Sequence, residues 1–128
     1  MFDSDVLISC LRGDPEAERV IDAETERIIS IASLIELLQG ARSPSQLKTA
    51  RDFVRKLEMR LVTVNEAISF SAVALIEKHA PGDGLRLGDA LIAATALEHD
   101  ETLVTGNIRH FRAIRGLKLK AFRHSGIH

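Results

Sequence analysis

Asp3 and Asp5, separated by one residue, stand in "MFDSDVLISCLRG", where an apolar strand should run into a helix. Side chains two apart on an extended strand share one face, so a strand continuing through Ser4 presents both carboxylates together. If the chain turns after Ser4, Asp5 is instead the N-cap of the following helix. Capping accounts less well for Asp3, because a carboxylate inside a strand is costly without a partner or a cation. Glu36, in "SIASLIELLQGA", lies opposite the mean direction of Leu34, Ile35, Leu37 and Leu38 on a helical wheel. It reads either as a solvent-facing glutamate or as a carboxylate offered across a cleft. Asp89, in "GLRLGDALIAATALEH", heads a helix that is apolar on nearly every face. There it is either a helix cap or a buried carboxylate that needs a partner beyond backbone N–H groups. "LVTGNIRHF" adds Thr105, Asn107 and His110 just past a strand; Asn107 can cap the next turn, and His110 can be an ordinary surface side chain.

Carboxylates are hard oxygen donors, which suit Mg²⁺ or Mn²⁺ rather than zinc. The chain has no zinc-type Cys/His spacing, no G-x-x-x-x-G-K phosphate loop and no G-x-S-x-G elbow. "DSD" also matches the D-x-D of haloacid-dehalogenase-type phosphatases. That pattern wants Thr or Val two residues past the second Asp, where Leu7 stands, and the chain is short for that fold.

The elements that must position these groups alternate between strand and helix. A first strand is expected to end near Ser4, with a brief helix over 6–11 stopped by Gly13. Asp14-Pro15 starts a second helix to about Glu24, with Asp as cap and Pro at the first helical position. A strand over 27–30 and a helix over 33–41 follow, and Ser43-Pro44 opens a helix to about Glu58. That helix carries Leu47, Ala50, Phe53, Val54 and Leu57 on one stripe, read mostly as core and partly as a candidate dimer surface. A strand is expected over 61–64, then a helix capped by Asn65 through about His79. Pro81, Gly82 and Gly84 mark a loop over 80–87. The remaining segments are a helix over 89–97, a strand over 102–105, a turn or short helix over 107–111 and a last strand over 117–122. Such alternation implies right-handed crossovers and a mostly parallel sheet covered by helices on both faces. In sheets of this kind, sites form beyond the carboxyl ends of the strands, where Asp3 and Asn107 fall.

The 128 residues fit one domain over 1–128, and 45% hydrophobic with 27% charged residues argues against disorder. A single cysteine, Cys10, excludes an intramolecular disulfide and suits a reducing compartment. No apolar run approaches the ~18–20 residues of a membrane span and no leader pattern is present, so a cytoplasmic protein is expected. The net charge of −1 is unevenly spread. Asn107 to His128 hold six basic residues (Arg109, Arg112, Arg115, Lys118, Lys120, Arg123) and no acid, against 11 basic and 18 acidic residues over 1–106. A basic segment on an acidic body is a candidate nucleic-acid contact, or a surface for an acidic partner.

Taken in order, "FDSDVLISCLRG", "SIASLIELLQGA", "GLRLGDALIAATALEH" and "LVTGNIRHF" resemble the PIN-domain family, and within it the VapC toxins of type II toxin–antitoxin pairs. The four blocks span residues 2 to 111, and "GDALIAATALEH" is the most specific. The resemblance implies a three-layer α/β/α fold and an acidic pocket that binds Mg²⁺ or Mn²⁺ and cleaves RNA as an endoribonuclease. It matches Asp3, Glu36 and Asp89 to the family's three acids, as catalytic residues and metal ligands. Its fourth position falls on the uncharged Asn107, a further candidate ligand, with His110 where many relatives have Asp. Asp5, often Asn or Ser in the family, is a candidate to restore some of that charge. Relatives usually have a few more residues ahead of the first acid, so the first strand is expected to be short. A metal-activated water attacking in line would leave 5′-phosphate and 3′-hydroxyl ends. Ser4 and Thr105 could orient ligands or phosphate, while Arg86, Arg109 and Arg112 could steer the RNA backbone. The implied partners are an RNA substrate, a VapB-like antitoxin whose arm fills the acidic pocket, and a second copy of the chain, as a homodimer or within a heterotetramer or larger assembly. The competing class is a PIN-fold binding module whose metal site is too weak to cleave.

Overall fold

Among the described residues, four short strands pair in two parallel ladders. In this computed structural model, which describes residues 1–125, β1 (Ile28–Ser30) pairs with β2 (Arg60–Val62), with Ile29 opposite Leu61. β3 (Leu103–Thr105) pairs with β4 (Leu119–Ala121), with Val104 opposite Lys120. Residues 1–3 run between the ladders and join them. Phe2 N–H donates to the Ile28 carbonyl at 3.1 Å, Asp3 N–H to that of Val104 at 2.9 Å, and Val104 N–H to that of Met1 at 2.8 Å. The order across the sheet is therefore β2, β1, residues 1–3, β3, β4, and the extended residues 1–3, bonded on both sides, serve as its short central strand. The basic segment read to His128 extends past the described residues, and positions 126–128 lie outside them.

Seven helices complete the chain among the described residues: α1 (Ser4–Leu11), α2 (Pro15–Asp22), α3 (Ile31–Gln39), α4 (Pro44–Lys56), α5 (Glu66–Asp83), α6 (Leu87–Glu98) and α7 (Ile108–Phe111). Strand alternation sorts the core into two halves. Met1, Ile28, Val62 and Leu103 face Ile68 and Ala72 of α5 and the apolar run of α6. Phe2, Ile29 and Val104 face Val6 and Leu7 of α1, Ile21 of α2, Leu37 of α3 and Ala50 of α4. The sheet is thus covered on both faces, the expected three-layer α/β/α arrangement. Ala90, Ile92, Ala93, Ala94 and Ala96 are all fully buried, because α6 packs against α3, α5 and β1 at once. Small side chains let those neighbours approach it closely. The α4 stripe is mainly core: Phe53, Val54 and Leu57 pack on the α1–α4 half, and only Leu47 is exposed.

Side chains cap three helices, at Asp14 and Asn65 as the sequence predicts and also at Ser43, where it predicts a helix start. Asp14 Oδ2 accepts from Ala17 N–H, Ser43 Oγ from Gln46 N–H and Asn65 Oδ1 from Ile68 N–H, at 2.8 to 3.2 Å. At two others the structure corrects the expectation. Helix α1 begins at Ser4, and its N-cap is Asp3, not Asp5. The backbone stays extended through Asp3 (ψ 160°) and turns at once, so no strand reaches Ser4 and the two carboxylates do not share a strand face. Helix α5 does not stop at His79 but runs through Pro81 to Asp83. Proline lacks an N–H, yet near a helix end only one bond is lost. The buried His79 shares a 2.8 Å hydrogen bond through Nδ1 with Asp83 Oδ2 across that turn, and Gly84 ends it at φ 70°.

Asp14 is fully buried, and besides capping α2 it ties down the far end of the chain. Its Oδ1 accepts from Ser125 N–H at 2.9 Å and from the Ser125 hydroxyl. Asp14→Ala is expected to cost about 2 kcal/mol in urea unfolding, from a lost cap and donors left without their acceptor. A loss under ~0.5 kcal/mol would show that the cap does not hold this corner.

Candidate active site

Asp3 ends the central strand and starts α1, so its carboxylate leaves the sheet at the carboxyl edge. Two donors fix it: Ser4 N–H reaches Oδ1 at 2.7 Å, and the Thr105 hydroxyl donates to Oδ2 at 2.7 Å. Thr105 is itself fixed, because its Oγ1 accepts from Asn107 N–H at 2.9 Å. One buried hydroxyl therefore ties the end of β3, the turn after it and the Asp3 carboxylate together.

Glu36 comes from α3 and is half-buried, not turned wholly to solvent. Its Oε1 accepts from the Ser4 hydroxyl at 2.9 Å, which joins it to the Asp3 turn. Asp89 sits in the first turn of α6, where its Oδ2 faces Arg86 N–H at 3.4 Å and His110 Nδ1 at 3.7 Å. It is a first-turn acid reaching back to the helix start, not the N-cap residue itself. The carboxylates of Asp3, Glu36 and Asp89 open into one cavity of about 330 Å³, lined also by Ser4, Arg86, Leu87, Gly88, Asn107 and His110. Positions far apart in the chain thus meet at the carboxyl edge of the sheet, where open α/β sheets place their sites.

Other candidates fall elsewhere. Asp5 does not open into this cavity; it lines the adjoining one, with Oδ2 accepting from Gly106 N–H at 2.7 Å. Thr105 is fully buried, which corrects its assignment as an RNA contact: its hydroxyl is spent on Asp3. Arg86 lines the cavity mouth, whereas the exposed Arg109 and Arg112 do not line it. Sequence reasoning missed Gly88. A Cβ there would stand 2.6 Å from Glu36 Oε2, so the glycine leaves the room that this carboxylate occupies. The signal was a helix-disfavouring residue in the first turn of an otherwise apolar helix. The approach of His110 to Asp89 has no signature in the local pattern.

The electrostatics are those of a negative cluster. Burial pushes the Asp3 carboxyl above its ordinary range; the Thr105 hydroxyl and Ser4 N–H pull it back, and Asp89 raises it further. Glu36 is raised by burial, lowered by the Ser4 hydroxyl and raised again by Asp3 and Asp89. Burial, then the charge of Asp3, lift Asp5 from 3.8 to about 6. All three shifts favour protonation in the folded state, so each group lowers stability as the pH rises through its window. Such a set of hard oxygen donors fits a divalent cation, which would offset both their burial and the repulsion that adds to the shifts. Among the described residues no three acidic, His or Cys side chains yet surround a common point, so sharing one ion requires side-chain movement. Asp3, Glu36 and Asp89, which line the cavity together, could hold it, with Asn107 also in the lining.

Asp5 gives the cleanest pH test. Without divalent ions, raising the pH from about 4 to about 6 should destabilise the wild type relative to Asp5→Asn by on the order of 2 kcal/mol in urea unfolding. A difference that stays constant across that window would show that Asp5 titrates normally.

Comparison with known proteins agrees with this fold. A family model for the PIN domain matches residues 1–117. The chain is 33% identical over 122 residues to Ribonuclease VapC10 of Mycobacterium tuberculosis, covering 92% of this chain and 90% of that protein. A toxin–antitoxin complex from Klebsiella pneumoniae contains a chain of similar fold, with a TM-score of 0.74 and 30% identity over 91% of this chain and 92% of that one. VapBC2 from Rickettsia felis, bound to a promoter DNA fragment, gives a TM-score of 0.80 at 22% identity over 96% of this chain and 98% of that one. The chain belongs to the PIN-domain family, in its VapC group.

Proposed function

We infer that the chain is a Mg²⁺- or Mn²⁺-dependent endoribonuclease, the toxin of a VapBC-type pair. The observation that carries this reading is the meeting of Asp3, Glu36 and Asp89 in one cavity, from the end of the central strand, from α3 and from the start of α6. A relative named as a ribonuclease, matched over nine-tenths of both chains, supports the reaction class. When bound, a divalent ion supplies the charge that polarises a phosphodiester and lowers the pKa of a water. The rest falls to the side chains. Thr105 and Ser4 hold the Asp3 carboxylate by hydrogen bonds that favour its ionised form, the form that binds a cation. The Ser4 hydroxyl and the space above Gly88 set the two oxygens of Glu36. Asn107, at the cavity rim, has an amide to donate to a phosphate oxygen. Arg86 at the mouth, with Arg109 and Arg112 on the nearby basic segment, supplies the positive field that draws an RNA backbone to an acidic site.

A VapB-like antitoxin is the inferred partner, since solved complexes of similar fold are toxin–antitoxin pairs. An antitoxin arm carrying a basic side chain would satisfy the same carboxylates. A homodimer, alone or within a larger complex with antitoxin, belongs to this reading. So does action in the cytoplasm, where RNA is met; among the described residues no helix is long and apolar enough to cross a membrane.

Asp89→Asn keeps an oxygen for Arg86 N–H but removes the charge. It is expected to lower Mg²⁺-dependent RNA cleavage at least about 100-fold while moving the melting temperature by no more than about 2 °C. Surviving cleavage would displace Asp89 from the site, and early melting would make it a helix cap. Gly88→Ala, which crowds Glu36 from below, is expected to lower cleavage about tenfold with the fold intact. An unchanged rate would mean that Glu36 need not stand where it does.

A further inference from the structure

His110 stands in the wall of the acidic cavity with no structural task. Its imidazole lines that wall together with Asp3, Glu36 and Asp89. Nδ1 lies 3.7 Å from Asp89 Oδ2, and the ring makes no hydrogen bond among the described residues. Its place is nevertheless set by the backbone. Phe111, fully buried, anchors α7 beside it, and His110 N–H donates to the Asn107 carbonyl at 3.0 Å. Asn107 N–H is in turn held by Thr105 Oγ1 at 2.9 Å. The hydroxyl that fixes Asp3 therefore also fixes the turn that brings the imidazole to Asp89.

A separation of 3.7 Å is too long for a hydrogen bond. An ion pair of that length, with side chains 40% and 19% exposed, contributes little. The spacing does suit two donors turned toward a common ion. Donors about 2.1 Å from one ion stand roughly 3.0 to 3.6 Å apart at angles of about 90° to 120°. A small rotation of either side chain closes the difference.

The chemistry of the two donors differs. Carboxylates alone are hard oxygen ligands, and Mg²⁺ takes such ligands almost exclusively. An imidazole nitrogen adds little for Mg²⁺ but raises the affinity of first-row transition ions. Charge points the same way. A further carboxylate at position 110 would add to a cluster in which burial and mutual repulsion already favour protonation, whereas histidine adds a donor without a negative charge. We propose that His110 is a nitrogen ligand of the ion held by Asp89, and that it biases the site from Mg²⁺ toward Mn²⁺. The proposal rests on the reading of this cavity as a divalent-cation site and adds to it a donor and a choice between ions.

The test is metal binding by the full chain, read in two ways that need no RNA. Pulsed EPR of bound Mn²⁺ should show the nitrogen coupling of an imidazole. That coupling should disappear in His110→Ala and persist in His99→Gln, an exposed histidine at the opposite end of α6 from Asp89. In calorimetric titrations, His110→Ala should bind Mn²⁺ at least about tenfold more weakly and Mg²⁺ no more than about twofold more weakly. His110→Asp, which supplies an oxygen donor instead, should bind both ions without the nitrogen coupling. If the wild type binds Mn²⁺ with no nitrogen coupling, or His110→Ala keeps it, the proposal is overturned and the cation site stands. If His110→Ala weakens Mn²⁺ and Mg²⁺ equally, the choice between ions is overturned. If Asp89→Asn keeps the coupling at undiminished Mn²⁺ affinity, the two side chains do not share an ion and the proposal falls. A wild type that binds no Mn²⁺ would remove the cation reading and the proposal together.

Discussion

Asp3 has to do two things that oppose each other: end a central strand inside the core and carry a negative charge. Its carboxylate is almost wholly buried, and an unpaired charge there would be too costly to keep. The hydrogen bonds from Ser4 N–H and the Thr105 hydroxyl make the position tolerable, and they do more than compensate. Through Ser4 the carboxylate starts α1, and the Ser4 hydroxyl then places Glu36. Through Thr105 it fixes the end of β3 and the turn that carries Asn107. The strand that bears Asp3 also bridges the two ladders of the sheet. Local order at the site and the continuity of the fold therefore depend on the same few atoms.

The cost of this arrangement is visible in the directions of the pKa shifts. Asp3, Asp5 and Glu36 are all displaced toward the protonated form, chiefly by burial and then by one another. A fold that served stability alone would neutralise or disperse these groups. Keeping Asp3 and Glu36 beside Asp89 is what a cation site would require, since repulsion among empty ligands is relieved only on binding. Gly88 and Gly106 belong to the same design, because each yields the space that one carboxylate fills.

Much of this was legible in the sequence. Helix caps at Asp14, Ser43 and Asn65, the alternation of strand and helix, and the burial of the alanine-rich helix follow from local residue chemistry and periodicity. The errors arose where tertiary contact overrides local preference. Pro81 signals a loop, but the His79–Asp83 bond carries α5 past it. Asp5 looked like the cap because Val6 begins the apolar run, yet the chain turns one residue after the strand's last pairing and gives the cap to Asp3. The wheel placed Glu36 away from the α3 core correctly enough, but only the fold supplies Ser4 and Gly88 on its other side. That Asp5 serves a neighbouring cavity, and that Thr105 is buried beneath Asp3, depend on contacts between residues about a hundred positions apart. No local pattern encodes them.

The central claim is that Asp3, Glu36 and Asp89 act together as one cation site. Calorimetric titration of the full chain with Mn²⁺ tests it without reference to RNA. The account predicts a saturable site in the wild type that is lost in Asp3→Asn while the thermal transition persists. A wild type with no saturable binding, or an Asp3→Asn variant that binds Mn²⁺ equally well, would contradict it.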